Sequence, residues 1–419
     1  MSSISVPLSP APARSVDFRA AQWRVLAAIM ICYLFFYTGR QNMGFAVKGM
    51  QESLGYSASA VAWLNAAMLA GYGLGQAMNG NFADIYGARR MVAIGAALSF
   101  AFNWAFSFTS TAWLAIVLWF ANGLAQSTGS PAMRRLIVDW FPQGERGKAN
   151  GFHLLSAGFS SSLTFGLCIW VTAAFDWRWV FRLPVSTILV GTAVFLVLAR
   201  NRPVDLGFQP LPPEPSEEAP PEAGESSRER YLKVLRNRHF LLACISIGFE
   251  SMARYGLLSW VPLHFLGTAK GSRADLWVTL GLPVGMAVGA LSAGLVSDRW
   301  FPQRRAWVAA FLMACAALAT FLLSMMPTGS PYAFALLAAA GFFVYAPQAS
   351  YWSLGPVLVG RERSGTATGL MDASAYGFAA LGQVLIGQTI DWTGSTFSVF
   401  LVIAVGCLLG ALAILPLKK

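Results

Sequence analysis

Apolar residues in this chain come in long uncharged blocks, and that arrangement leaves few folds open. Residues 25–39, 306–326 and 397–417 contain no Asp, Glu, Lys or Arg. Such blocks approach or reach the roughly 17–25 residues that a helix needs to cross a bilayer. Hydrocarbon offers the backbone no hydrogen-bond partner, so each span must be a helix that satisfies its own N–H and C=O groups. Composition points the same way, with 56% hydrophobic residues, 12% charged residues and a mean hydropathy of +0.55. A soluble domain carries about 25% charged residues and could not cover its surface with half that. The first block follows a polar, proline-containing start (residues 1–14) without a small-residue cleavage site, so it is expected to remain as the first span. The expected class is all-α and polytopic, embedded in a lipid bilayer.

Twelve spans can be placed, centred near Phe35, Leu69, Ala97, Trp119, Ser160 and Leu189, then near Arg254, Met286, Ala316, Gly341, Tyr376 and Gly406. The net charge of +11 would suit nucleic acid, but the basic residues lie in short loops between apolar blocks, so no nucleic-acid partner is expected. The even-numbered loops hold Arg89–Arg90, Arg134–Arg135 with Arg146 and Lys148, Arg299 with Arg304–Arg305, and Arg361 with Arg363. An even number of spans with this bias puts both termini in the cytoplasm. Between spans 6 and 7 the chain turns polar, reading Pro210-Leu-Pro-Pro-Glu-Pro-Ser-Glu-Glu-Ala-Pro-Pro-Glu. Such a stretch cannot bury enough apolar surface to fold. The predicted organisation is a cytoplasmic N-terminal segment (1–22), a six-helix half (23–200), a flexible cytoplasmic linker (201–238) and a second six-helix half (239–419).

The halves repeat. Displaced by 214 residues, the chain lays Trp63 on Trp277, Gly71 on Gly285, Gly75 on Gly289, Gly80 on Gly294, Asp84 on Asp298 and Arg90 on Arg304. After a three-residue slip, Glu145-Arg146-Gly147 meets Glu362-Arg363-Ser364. Glycines 71, 75 and 80 put small residues on one helix face, where backbones approach closely in lipid. Repeated halves joined by a linker are the architecture of alternating-access carriers, which bind substrate between the halves near mid-membrane.

The same displacement superposes Arg40 on Arg254, both within apolar stretches read as helix. Arg254 is 15 residues past His239, roughly 22 Å of helix rise and well inside the hydrocarbon layer. An arginine there costs at least about 2.5–3.5 kcal/mol on insertion scales, so it needs a partner or a purpose. Equivalent positions in two symmetric halves face one another across a central cavity, where two guanidiniums repel unless an anion lies between them. Each guanidinium is a planar fork of donors that matches phosphate or carboxylate and stays charged. An oxyanion site shared by the halves is expected; the alternative is that each arginine snorkels or pairs with a structural acid.

Glu250, one turn before Arg254 on the same face, and Asp372, early in span 11, could compensate an arginine in the empty site or take up a proton in coupling. A purely structural role is the alternative for each. Tyr37, Gln76, Tyr255 and Tyr376 are the expected cavity walls, since their polar tips need partners in a dry setting. His153 reads as the residue that opens span 5. Asp84 with Arg90, and Asp298 with Arg304, fall at the cytoplasmic ends of spans 2 and 8, where they would form a gate or mark topology. The five cysteines stand singly in apolar segments, without CxxC or a neighbouring His, so no disulfide, metal or cofactor is expected. No nucleophile–base pair or phosphate-cradling loop suggests an enzyme.

Gly80-x-x-x-Asp84-x-x-Gly87-x-Arg89-Arg90 resembles the loop signature of the major facilitator superfamily. Tyr37-Thr-Gly-Arg40-Gln-Asn42 resembles the helix 1 arginine motif of its organophosphate:phosphate antiporter branch, which includes carriers of glycerol 3-phosphate and hexose phosphates. Asn122-Gly-Leu-Ala-Gln126-Ser-Thr-Gly129-Ser-Pro131, followed by Trp140-Phe and Glu145-Arg-Gly147, is similar to the helix 4 signature of that branch. Arg254-Tyr-Gly256-x-x-x-Trp260-x-Pro262 is similar to its helix 7 motif. The resemblance runs from about Arg24 to the C-terminus. It implies a major facilitator fold of twelve transmembrane helices in two pseudo-symmetric halves. It further implies a small anionic substrate whose phosphate is bound by Arg40 and Arg254, and a carrier of the bacterial cytoplasmic (inner) membrane that functions as a monomer. The coupling ion would be phosphate or a proton. Bacterial members of the branch add a lysine on helix 2 and a histidine on helix 5, where this chain has Gln76 and Ala157. Fewer cations suit a less charged headgroup or a different coupling. Two alternatives stay open: a proton-coupled carboxylate symporter of the anion:cation symporter branch, and a membrane sensor that binds sugar phosphate without net transport.

Overall fold

A span surrounded by lipid must close its backbone hydrogen bonds within itself, and the described residues accordingly form helices and no strand. The computed structural model describes residues 16–209, 211, 227–267, 273–300, 304–327, 330–360 and 363–417. Most of the predicted linker's proline-rich middle, residues 210 and 212–226, lies outside them.

Span 1 combines α1 (Val16–Phe36), a single 3-10 turn (Tyr37–Gly39) and α2 (Met43–Leu54). Spans 2 and 3 are α3 (Ala58–Tyr86) and α4 (Ala88–Phe108). Span 4 joins α5 (Ala112–Gln126) to α6 (Gly129–Trp140), span 5 is α7 (Gln143–Ala174) and span 6 is α8 (Leu183–Leu198). After a short α9 (Ser227–Arg236), span 7 is α10 (Arg238–Gly267); α11 (Arg273–Val278) precedes span 8, α12 (Gly281–Trp300). Span 9 is α13 (Arg305–Ser324), and span 10 joins α14 (Ala333–Tyr345) to α15 (Gln348–Val359). Spans 11 and 12 are α16 (Ser364–Thr393) and α17 (Phe397–Ile414). Nine stretches of the described residues are long and apolar enough to cross a membrane on those grounds alone. Large apolar side chains face outward along the spans, Val197 and Leu381 being 71% exposed, which is stable against lipid and not against water.

Spans 4 and 10 break near their middles, each at a proline. Pro131 and Pro347 lack the N–H that would continue the helical ladder. At the first break the Ser127 and Thr128 hydroxyls turn back to the carbonyls of Leu124 and Ala125, at 2.7 and 2.9 Å.

Packing repeats between the halves as the sequence does. Span pairs 1·6, 1·5, 2·4, 3·4 and 3·6 of the first half have counterparts in 7·12, 7·11, 8·10, 9·10 and 9·12 of the second. The halves meet through α2 against α10, α3 against α16 and α7 against α12. A two-fold axis exchanging the halves maps the first of these pairs onto itself and swaps the other two. Backbones come close at these contacts. A Cβ added at Gly44 would lie 2.7 Å from the Ser259 carbonyl oxygen, and one at Gly387 would lie 2.4 Å from Ala62 Cβ.

Buried apolar residues form three clusters among the described residues. One crosses between the halves, joining Met43, Phe45 and Val61 to Leu257, Trp260 and Ile386. It lies toward the face opposite the termini, here called the far face. The other two sit toward the face that carries the termini, and each belongs to one half: Val25, Val92 and Leu136 in the first, Phe240, Ala309 and Met371 in the second.

Two polar latches reinforce the far face. The Asp391 carboxylate, at the end of α16, accepts from the backbone N–H groups of Ala58 and Ser59 at 2.9 Å each, capping α3 from the opposite half. Lys48 Nζ on α2 donates to the Leu266 carbonyl at 2.5 Å, in the last turn of α10. An anion at a helix N-terminus and a cation at a C-terminus are both favoured by the helix dipole. Losing a cap of this type costs about 1 kcal/mol. Asp391→Ala is therefore expected to raise the population open at the far face roughly fivefold, measured as spin-label distances between the far ends of α2 and α10. An unchanged distance distribution would remove the latch.

Candidate anion-binding site

The centre of the molecule is organised by a break in span 1. α1 ends at Phe36, and after the 3-10 turn Arg40 leaves the helix with φ −142°. The break releases the Gly39 carbonyl, which accepts from Asn103 Nδ2 on α4 at 3.0 Å and from Asn122 Nδ2 on α5 at 2.8 Å. Asn122 Oδ1 accepts from Ser99 Oγ at 2.7 Å, and Gln126 Nε2 donates to that hydroxyl at 2.7 Å. Asn42 donates to Asn103 Oδ1 at 3.0 Å and to the Val180 carbonyl at 3.1 Å, anchoring the start of α2. Asn42, Ser99, Asn103 and Asn122 are fully buried. Unwound backbone at membrane depth persists only where protein supplies the missing hydrogen bonds, and this network supplies them. The sequence reading put both arginines inside helices. That is corrected for Arg40, which stands at an unwound turn, whereas Arg254 lies within unbroken α10.

Among the described residues, neither guanidinium forms an ion pair with an acid within 4 Å. Arg40 Cζ lies 3.9 Å from the Tyr37 ring centroid and 4.6 Å from that of Tyr72. Arg254 Cζ lies 4.5 Å from Tyr255 and 5.5 Å from Tyr345, the residue at the break of span 10. The Tyr72 ring lies tilted against that of Tyr376, centroids 5.0 Å apart, and Tyr376 lies 6.0 Å from Tyr255. A row of rings thus leads from Arg40 through Tyr72, Tyr376 and Tyr255 to Arg254, crossing from one half to the other. Arg40 lines a cavity with Gln41, Asn65, Trp119 and Tyr255. Arg254 lines a second with Tyr37, Gln41, Ser161, Tyr255 and Tyr345. Gln41 and Tyr255 line both, so the cavities adjoin. Arg40 Nε, Arg254 Nε and Gln41 Oε1 are buried without a hydrogen bond. Those orphaned atoms suit a polar ligand held from both sides.

The remaining expected residues fall as follows. Gln76 is half-buried one turn beyond Tyr72 and lines neither cavity. Asp372 is half-buried one turn before Tyr376 and, among the described residues, makes no ion pair within 4 Å. Glu250 is fully buried; Ser251 Oγ donates to its Oε2 at 3.0 Å, and its Oε1 has no partner. The pairing with Arg254 suggested by their spacing is not found within 4 Å. The side chains of Asp84 and Asp298 lie outside the described residues, while Arg90 and Arg304 are exposed. It is Arg89 that is tied down, donating from Nη2 to the Leu196 carbonyl at 2.5 Å. His153 does not open span 5 but lies well inside α7, its ring 4.2 Å from Tyr33. Gln41, Asn65 and Asn103 carried no sequence-based expectation. The one signal that marks them is polarity inside an apolar block.

Twelve helical spans in two matching halves, with interrupted helices around a polar centre, define a membrane transport protein. A family model for the Major Facilitator Superfamily matches residues 29–383, and the chain belongs to that superfamily, one of transporters rather than enzymes. The Glycerol-3-phosphate transporter of Bacillus subtilis (strain 168) is 27% identical over 94% of this chain and 91% of its own length. The Membrane sensor protein UhpC of Escherichia coli (strain K12) is 28% identical over 96% and 93%. A bacterial homolog to the human lysosomal transporter Spinster, solved in an inward-facing and unoccupied conformation, has the same fold, with a TM-score of 0.71 at 15% identity over 96% of both chains. The resemblance read from the motifs is borne out for the superfamily, and these relatives agree with its organophosphate:phosphate antiporter branch.

Proposed function

We propose that this protein is a secondary active transporter of a small organic anion, an organophosphate or phosphonate, whose anionic group is bound by Arg40 and Arg254 together. The observation that carries the reading is the pair of guanidiniums, one from each half, opening onto adjoining cavities with buried, unbonded Nε atoms. A cation–π contact is worth about 0.5–2 kcal/mol. A hydrogen bond to a charged group contributes about 1.5–3 kcal/mol and can be doubled in a bidentate pair. The tyrosine faces therefore hold the arginines in place without outcompeting an oxyanion. Binding from both sides draws the halves together and drives alternating access. The basic even-numbered loops support cytoplasmic termini in a bacterial inner membrane. On that assignment the shared far-face core and the separate cores near the termini fit a carrier closed to the outside. Asp84 with Arg90, and Asp298 with Arg304, would gate the cytoplasmic side, and residues 201–238 would link the halves; the described ends of that stretch are not flexible as the composition suggested but form a 3-10 turn (Pro203–Leu206) and α9, with Pro203 and Val234 buried.

A sensor without net transport is the second reading, favoured by the likeness to UhpC. Counterflow separates the two. Proteoliposomes loaded with inorganic phosphate or glycerol 3-phosphate are expected to accumulate external labelled glycerol 3-phosphate. Binding without accumulation would favour the sensor, and counterflow confined to carboxylates would favour the carboxylate symporter.

A further inference from the structure

We infer that Glu250 carries a proton and links it to the anion at Arg254, which makes the proton a co-substrate of the carrier; this rests on the reading of Arg254 as an anion ligand. Glu250 lies one turn before Arg254 on α10 and is fully buried. Its carboxyl group has one hydrogen bond, from Ser251 Oγ at 3.0 Å, and a buried Oε1 with no partner. It lines neither central cavity, so it does not touch the substrate directly.

The groups around it offer little else. Tyr345 faces it from α14, Tyr351 from α15 and Cys407 from α17. On α16, Tyr376 and Asp372 lie toward Arg254. Ser246 Oγ gives its hydrogen to the Gly410 carbonyl at 2.7 Å, so the Tyr351 hydroxyl, 2.6 Å away, donates to Ser246 and not to Glu250. Among the described residues, Arg254 is the cation available to compensate Glu250. A buried carboxylate without a countercharge costs several kcal/mol.

One guanidinium is thus shared between two claimants. With the site empty, Arg254 balances an ionised Glu250. When an anion takes the Arg254 fork, the carboxylate loses its countercharge and takes a proton from solution, forming an O–H bond at the unpartnered Oε1. Release of the anion leaves the charge of Arg254 to balance Glu250 again across the short gap between them, and the proton leaves. By linkage, whatever drives proton uptake on anion binding also tightens the anion as the pH falls, approaching tenfold per pH unit for one linked proton.

The test uses purified full-length protein in weakly buffered solution at pH 8, with glycerol 3-phosphate as the probe. A phosphate monoester is already a dianion there, its second pKa being about 6. A pH-indicator dye is expected to report close to one proton taken up per anion bound by the unaltered protein. Glu250→Gln is expected to abolish that uptake per anion bound, whatever its affinity, and Glu250→Asp to restore part of it. Binding without proton uptake, or uptake surviving in Glu250→Gln, overturns the inference and leaves the carrier reading intact. Loss of uptake in Asp372→Asn with retention in Glu250→Gln would assign the proton to Asp372 and overturn it as well. If the unaltered protein binds neither glycerol 3-phosphate nor inorganic phosphate, the reading of Arg254 fails first, and this inference with it.

Discussion

Arg40→Lys and Arg254→Lys are each expected to raise the half-saturation concentration for anion counterflow roughly 10- to 100-fold while leaving insertion and folding intact. Lysine keeps the charge but is a compact ammonium on a flexible stem, without the planar fork that meets two oxygens at once. Losing one charge-assisted hydrogen bond of about 1.5–3 kcal/mol accounts for that range. The measurement is tracer counterflow in proteoliposomes at matched protein content, with tryptophan fluorescence as the check on folding. Ordinary kinetics in both variants would remove the two-arginine clamp.

Asn122→Ala should damage both stability and transport, though Asn122 lines neither cavity. The side chain donates to the Gly39 carbonyl and accepts from Ser99 and Asn103. A hydrogen bond between membrane helices averages about 0.6 kcal/mol, and stranding a buried hydroxyl adds about 1–3 kcal/mol. Together these predict a loss of roughly 2–4 kcal/mol, read as a lower thermal midpoint in detergent. Because the network sets the unwound turn that presents Arg40, substrate affinity should fall in parallel. A variant with an unchanged midpoint and unchanged affinity would show that the turn is held by something else.

Much of the architecture could be read from sequence because membrane spans are governed by a simple constraint. Blocks without charge gave the spans, and the displacement that laid Trp63 on Trp277 reappears as matching helix contacts in the two halves. The break in span 1 was not legible, because no proline marks it. What unwinds it is a set of amides on α4 and α5, more than sixty positions away along the chain, and distant partners leave no local pattern. The far-face latches escaped for the same reason, since Asp391 caps a helix that begins at Ala58. The helical spacing of Glu250 and Arg254 was sound, but a shared face does not fix where two side chains point. At Arg254 the faces of Tyr255 and Tyr345 lie where Glu250 was one of two expected partners, while the other expectation, an anion shared with Arg40, stays a proposal.

Holding the guanidiniums on aromatic rings has an electrical consequence. Counted over Arg40, Arg254 and Glu250 alone, the vacant site keeps a net positive charge with Glu250 in either protonation state, and each unit charge carried across the membrane potential is worth about 2.3 kcal/mol per 100 mV. In a carrier of the proposed kind, return of the unloaded form against an interior-negative voltage would be favoured in one direction and opposed in the other. A bound divalent anion cancels much of that charge. Swapping one such anion for another therefore avoids electrical work that a cycle with an empty leg must perform, and the voltage itself becomes a bias toward exchange.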